Sequence, residues 1–278
     1  MIVCDLSEVE VAEDGRRIRI SGKISGALGL FAGQTLFASF EDGSRQLFLS
    51  TIKLNPSVNY FRVFLEDVRG SLARITEVFR KNNLNILSGG AFSFGSIWVS
   101  EFIVDFKGTD VSPEDVSGEI EGLGGFVTSS EITELFPKAF DLQSTLEIIG
   151  DGPDGMCLLL PSAFSERIGL AGGSTSYAVL KAWPQVKALF IYFYPPGTKL
   201  LKISAKIRDV PGSLHRLAEL IRTQVDLQAV DELHHDEASG EWMAFGVLVL
   251  GELEELREKA ERLETILSFE AEALGWET

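Results

Sequence analysis

Cysteine is nearly absent from this 278-residue chain. Cys4 and Cys157 are too few for a disulfide framework, which excludes a stapled secreted domain. Histidine is almost as scarce, with three in all. H-E-x-x-H, C-x-x-C, the P-loop and G-x-S-x-G are all missing, so no catalytic set is in view and an enzyme is not expected. No apolar run approaches the roughly 18 residues of a membrane span. The opening M-I-V-C-D-L-S-E has neither the basic nor the apolar region of a signal peptide, and a cytoplasmic location is expected. Positive charge is short as well: 25 Lys and Arg against 41 Asp and Glu leave a net charge of −16. Nucleic-acid affinity needs a basic footprint. Residues 1–60 and 140–200 are close to balanced, while the stretches beginning near 61 and 201 hold most of the acid. Any DNA contact therefore falls to the balanced stretches.

What is present is written twice. F-L-E-D-V-R-G-S-L-A-R-I, near residue 67, returns about 140 residues later as I-R-D-V-P-G-S-L-H-R-L. Before each, apolar residues alternate as in a strand (Phe61, Val63, Leu65; Ile203, Ala205, Ile207). After each they recur at helical spacing (Leu72, Ile75, Val78, Phe79; Leu214, Leu217, Leu220, Ile221). Upstream, Asp14-Gly15 precede Gly29-Leu30 and Gly33 by the same steps that separate Asp154-Gly155 from Gly169-Leu170 and Gly173. The chain reads A-B-A′-B′. The expected modules are 1–58, 59–137, 138–198 and 199–278.

Each B module reads β-α-β-β-α-β, with helices over 70–81 and 212–223 after the first strand, and helices from Pro113 and Glu252 before the last. This is the split βαβ pattern, two helices on one face of an antiparallel sheet. Together with D-V-P-G-S-L at the strand–helix junction, it resembles the ACT domain over residues 59–136 and 199–276; Arg69 replaces the usual proline in the first copy. The resemblance implies a small-molecule sensor, usually for amino acids, whose sheets pair edge to edge with sites at the seam. It also implies an Asn at the helix exit, matched by Asn85 and replaced by Asp226 in the second copy. The residues carry a physical reason of their own. Gly70 and Gly212 let a ligand approach the backbone, and a helix opening there offers free N–H groups to a carboxylate. The candidate ligand-binding residues are Asp67, Gly70, Ser71, Asn85, Asp209, Gly212, Ser213 and Asp226. A turn that only caps a helix would use the same residue types.

The A modules are short and β-rich, each with one brief helix. D-G-R-x-I…L-G-L-x-x-G, with L-P-S-A-F-S-E-R-I-G-L in the second copy, resembles the AbrB/SpoVT swapped-hairpin domain. That resemblance implies that two units interlock into one barrel, here within a single chain, and that arginines near the D-G loop contact DNA. Arg16, Arg17, Arg19 and Lys23 are the candidates. The second copy has Met156, Cys157 and Leu158 in that loop, so one face has lost its phosphate contacts. Neighbouring His234 and His235 point to opposite faces of a strand and do not share an ion, so no metal or cofactor is expected. His215 follows the second glycine turn and is expected to face solvent. The expected fold class is α+β: two ferredoxin-like (βαββαβ) ACT modules alternating with two swapped-hairpin barrel halves. The expected function is regulation through a small-molecule ligand, an amino acid first. A ligand-responsive DNA binder, a subunit docking on a biosynthetic enzyme, and a homodimer remain open.

Overall fold

The computed structural model describes all residues except 1, 14, 41, 133–143, 151–154, 171–175, 236–237 and 275–278, and only the backbone of 231–235. Asp14, Gly173, the boundary expected at 137/138 and the side chains of His234 and His235 lie outside the described residues. The first half runs β1 (Val3–Ala12), β2 (Gly15–Ile20), α1 (Gly22–Leu28), β3 (Thr35–Ser39), β4 (Gln46–Ser50), β5 (Val58–Glu66), α2 (Ser71–Lys81), β6 (Asn85–Phe94), β7 (Ile97–Asp105), α3 (Pro113–Glu121) and β8 (Phe126–Glu131). The second half repeats it: β9 (Ser144–Gly150), β10 (Met156–Pro161), α4 (Ser162–Arg167), β11 (Ser176–Trp183), β12 (Ala188–Tyr194), β13 (Leu200–Arg208), α5 (Ser213–Arg222), β14 (Val225–His235), β15 (Ser239–Leu248), α6 (Leu253–Glu261) and β16 (Ile266–Leu274).

Eight of these strands close a barrel in the order β1-β11-β12-β4-β3-β9-β10-β2. Hairpin β11–β12 from the second copy lies between β1 and β4 of the first, and hairpin β3–β4 of the first lies between β12 and β9 of the second. Each half therefore closes the other. Two ladders join a strand to its own repeat. Phe48 faces Phe190 across β4 and β12, and Ile18 faces Leu158 across β2 and β10. A pseudo-two-fold axis passes through both pairs. Alternation along the strands sends Ile18, Ile20, Leu47, Leu49, Leu158 and Ile191 into one barrel core. Ser21 caps α1 by accepting from the Ile24 N–H at 3.3 Å, and Gly29, at φ +68°, ends it.

The remaining strands form two separate antiparallel sheets, β6-β7-β5-β8 and β14-β15-β13-β16. Within each, α2 and α3, or α5 and α6, cover one face. Phe61, Val63 and Leu65 meet Ile75, Phe79, Val116 and Ile120 in the first core, and Leu201, Ile203 and Ile207 meet Leu217, Ile221 and Leu256 in the second. Ser112 and Asp115 close a capping box at the start of α3, with Pro113 in its first turn.

The two sheets do not join each other, contrary to the edge pairing implied by the ACT resemblance. Each docks its helix-free face on the barrel instead. Val58 and Ile103 of the first sheet pack with Phe48, Val186 and Ala188. Ala229 and Phe245 of the second pack with Cys4 and Val179. These contacts fall on neighbouring barrel strands, β1-β11 and β12-β4. Burying the apolar residues of each face holds the sheets against adjacent barrel strands, and no hydrogen-bonded ladder links the two sheets among the described residues.

Candidate functional site

Both B modules open their first helix in the same way. Gly70 (φ +94°) and Gly212 (φ +88°) precede α2 and α5 in a left-handed conformation that other residues rarely take. Space beside each is open: an added Cβ meets nothing within 4 Å. Ser71 N and Ser213 N reach back to the carbonyls of Val68 (3.1 Å) and Val210 (3.2 Å). The next bonds run from Arg74 N to Gly70 O and from Arg216 N to Gly212 O, both 3.0 Å. No side chain caps either helix. The amides of residues 72–73 and 214–215 therefore point out of an uncapped helix start that carries partial positive charge. Exposed apolar side chains flank each mouth, Val68 and Leu72 at the first, Val210 and Leu214 at the second.

The other candidates have more local roles. Ser71 is buried, and its hydroxyl is shared between the carbonyls of Glu66 (2.8 Å) and Val68 (2.9 Å), locking the turn beneath the mouth. Ser213 is equally buried, yet its hydroxyl has no partner among the described residues. Asp67 accepts from the Ser93 hydroxyl, and its N–H donates to Ser96 O at 2.8 Å, tying the mouth to the β6–β7 turn. Asp209 N does the same with Ala238 O at 3.0 Å. His215 is exposed on α5.

Asn85 and Asp226 are elsewhere. Asn85 pairs with Asp105, which pairs with Val58, the first residue of β5. The Gly70 mouth follows Glu66, the last residue of that strand. Eight residue steps separate the two ends, roughly 27 Å at about 3.4 Å per residue. In the second sheet, Asp226 shares a row with Val247 and Leu200, again the end away from the mouth. Its carboxylate accepts from Gln228 Nε2 at 2.7 Å, and Tyr194 of the barrel donates to Gln228 Oε1 at 2.9 Å. Burial raises the Tyr194 phenol above its ordinary range, and the Asp226 charge adds to the shift. Asp226 thus belongs to a bridge between sheet and barrel. The ACT resemblance groups residues that sit at opposite ends of one sheet.

On the barrel, strand parity divides the four basic candidates. Arg16 shares its inward side with Ile18 and Ile20; it is 5% exposed and donates to Leu170 O at 3.1 Å, where no phosphate reaches it. Arg17 and Arg19 point outward, and Arg19 meets Glu10 at 3.5 Å. Lys23 is exposed on α1. No helix among the described residues is long and apolar enough to cross a membrane, and none of their His, Cys, Asp and Glu side chains cluster as a metal site.

No protein-family model and no curated protein matches the chain. Solved structures that align with it include an unknown protein from Galdieria sulphuraria at 9% identity, covering 78% of this chain and 98% of that one, with TM-score 0.32. A protein from Bacteroides thetaiotaomicron aligns at 12% identity over 79% and 95%, TM-score 0.21. The small subunit of acetolactate synthase from Thermotoga maritima aligns at 10% over 78% and 93%, TM-score 0.18. Scores this low carry no functional inference, which rests on the residues alone.

Proposed function

We propose that this chain is a non-enzymatic regulator that senses a small carboxylate-bearing metabolite, an amino acid first, through two ACT-like modules mounted on a shared barrel. The observation that carries the reading is the repeated mouth: an open left-handed glycine, an uncapped helix start and two exposed aliphatic side chains, built twice in one molecule. Backbone amides and the helix dipole suit a carboxylate, and Val68/Leu72 or Val210/Leu214 suit an apolar side chain beside it. The element order and the 2-3-1-4 strand order of each sheet support the ferredoxin-like reading. The mutual insertion of hairpins supports the swapped-hairpin reading of the barrel.

At the first mouth the Asp67 carboxylate is engaged by Ser93, and a second copy supplies a further acceptor for the ammonium group. Strand β6 is the outer strand of its sheet and has neither charge nor proline from Asn85 to Phe94. Phe92 and Phe94 are 56% and 73% exposed. An edge this long and apolar is an open template for another strand. Antiparallel pairing of β6 with β6 of a second chain places Asn85 of one copy beside the Gly70 mouth of the other. The second sheet's outer strand β14 packs against barrel strands β1 and β11, so the two modules have unequal roles.

Two measurements test this. Sedimentation velocity is expected to show a dimer that Phe92→Lys converts to monomer; a monomeric wild type overturns the seam. Calorimetry with the twenty amino acids is expected to find a ligand whose binding at the first mouth Gly70→Val removes, lowering the stoichiometry, because a β-branched side chain is strained at φ +94° and fills the approach. Silence across the panel overturns the sensing role.

A further inference from the structure

A half-open cavity lies away from both mouths, between the helix-free face of the first sheet and the barrel turn Pro184–Val186 with Lys187. It holds about 180 Å³. That is room for roughly six water volumes at ~30 Å³ each, and below the ~300 Å³ at which drug-sized ligand sites begin. Nucleotides and large cofactors are excluded by size.

Its wall chemistry is that of a charged small molecule. On the sheet side, Glu101 receives three charge-assisted or neutral bonds on one oxygen: Tyr60 Oη at 2.7 Å, Arg62 Nε at 2.8 Å and Arg62 Nη2 at 2.7 Å. The Glu101 side chain is 29% exposed. Burial and the adjacent carboxylate push the Tyr60 phenol up to about 12, so it stays a donor. The cluster fixes the carboxylate through one oxygen, and Glu101 lines the cavity. On the barrel side, Gln185 Oε1 is buried with no hydrogen-bond partner among the described residues, a costly state for an acceptor unless something fills it. Lys187 supplies the cation, on a backbone held left-handed at φ +57°. Its carbonyl accepts from Thr51 N and Ser50 Oγ, both at 3.1 Å, which fixes the turn on the end of β4. Directly opposite Glu101 in the ladder is Gly90, whose missing side chain leaves the space open; an added Cβ there touches nothing within 4 Å.

The second sheet keeps none of the four sheet-side residues. By the repeat and the strand registers, Lys202 stands for Tyr60, Ser204 for Arg62, Met243 for Glu101 and Asp231 for Gly90. A merely structural salt-bridge cluster does not need the glycine or the orphaned amide oxygen beside it.

We propose that this cavity binds a compact α-amino acid, of the size of glycine, alanine or serine, with its ammonium between Glu101 and Gln185 Oε1 and its carboxylate on Lys187. One wall is the sheet and the other the barrel, so a ligand here fixes the angle between them. The site is separate from the helix mouths and does not depend on them.

The test is titration calorimetry of the full chain with glycine, L-alanine and L-serine, and with propionate and ethylamine, which each keep one of alanine's two charged groups. Saturable binding of an amino acid, and none of the two single-charge analogues, is expected. Gln185→Leu and Lys187→Met are expected to weaken it about tenfold or more, the loss of one polar or charge-assisted contact. Gly90→Leu, which fills the space, should abolish it, with circular dichroism and sedimentation showing the fold and assembly unchanged. Gly70→Val and Gly212→Val should leave it intact, which separates this site from the mouths. No binding by any of the three amino acids, binding that survives Gly90→Leu, or equal binding of propionate overturns the proposal.

Discussion

Gly15 shows how a single residue can be fixed by a neighbour more than a hundred positions away. A Cβ placed on it would lie 1.9 Å from the carbonyl oxygen of Leu160, because β2 and β10 cross there backbone to backbone. Gly15→Ala is therefore expected to lower stability by about 1–3 kcal/mol or more, read from chemical denaturation. Asp105 gives a pH-dependent case. Burial works against its ionised form, but bonds from Ser57 Oγ (2.7 Å), Lys107 N (2.9 Å) and Asn55 Nδ2 (3.3 Å) outweigh it and hold the carboxyl below the ordinary aspartate range. A depressed folded pKa means that its contribution is fully present above the unfolded value, near 4, and is lost as pH falls through the folded one. Asp105→Asn should cost about 1 kcal/mol at pH 7, modest because the group is largely solvated, with the difference from wild type shrinking below about pH 4. Denaturant titrations at pH 7 and pH 3 check this. Arg16 marks the limit of reading residues from a motif. R-R-I-R-I looks like a basic cluster, yet strand parity puts Arg16 with Ile18 and Ile20 inside and leaves Arg17 and Arg19 outside. The alternation needed for that distinction is in the sequence; the resemblance alone assigns all three arginines to DNA.

At the scale of elements, helices and central strands were legible because one face of each is buried and the other wet. Helix α2, expected over 70–81, spans Ser71–Lys81. Strand β1 carries no such pattern. In β1, Val9 points into the barrel while Cys4 meets the second sheet, so both faces are used and acidic residues interrupt the run. No single-period pattern survives such double duty. The interlocking of hairpins was available only through the family resemblance, since pairing partners lie about 140 residues apart. Its centre can be probed directly. Phe48 and Phe190, a residue and its own repeat, meet at 5.0 Å between ring centroids and 65° between planes. A double-mutant cycle with alanine at both positions should give a coupling of about 0.5–1.5 kcal/mol; additive effects would mean the pair does not hold the two halves together.

For the whole molecule, duplication made the barrel independent of a partner, and the sheets then diverged. The first keeps an open edge and a charged cavity against the barrel; the second is bridged to it through Tyr194, Gln228 and Asp226. If each half supplies the same strands, residues 1–132 alone should assemble as a homodimer, with Phe48 and Ile18 each facing their own copies. Light scattering of that fragment tests this, and a folded monomer would contradict the account of the barrel. The mouth residues Asp67, Gly70 and Ser71 were legible as one site because they are adjacent in sequence. The ACT resemblance places Asn85 at the same site, and only strand register reveals that it lies at the opposite end of its own sheet.

The central claim is that the two glycine mouths take up a small charged metabolite. The most direct measurement is thermal unfolding of the intact chain against the twenty amino acids, in wild type and in the Gly70→Val/Gly212→Val double variant. A ligand at about a hundred times its Kd stabilises by roughly 2.7 kcal/mol, a rise of about 5–10 °C for a chain of this size. The account predicts such a rise for at least one amino acid, lost or sharply reduced in the double variant. An unchanged melting temperature across the whole panel, or a double variant that retains in full every rise seen in wild type, would contradict it.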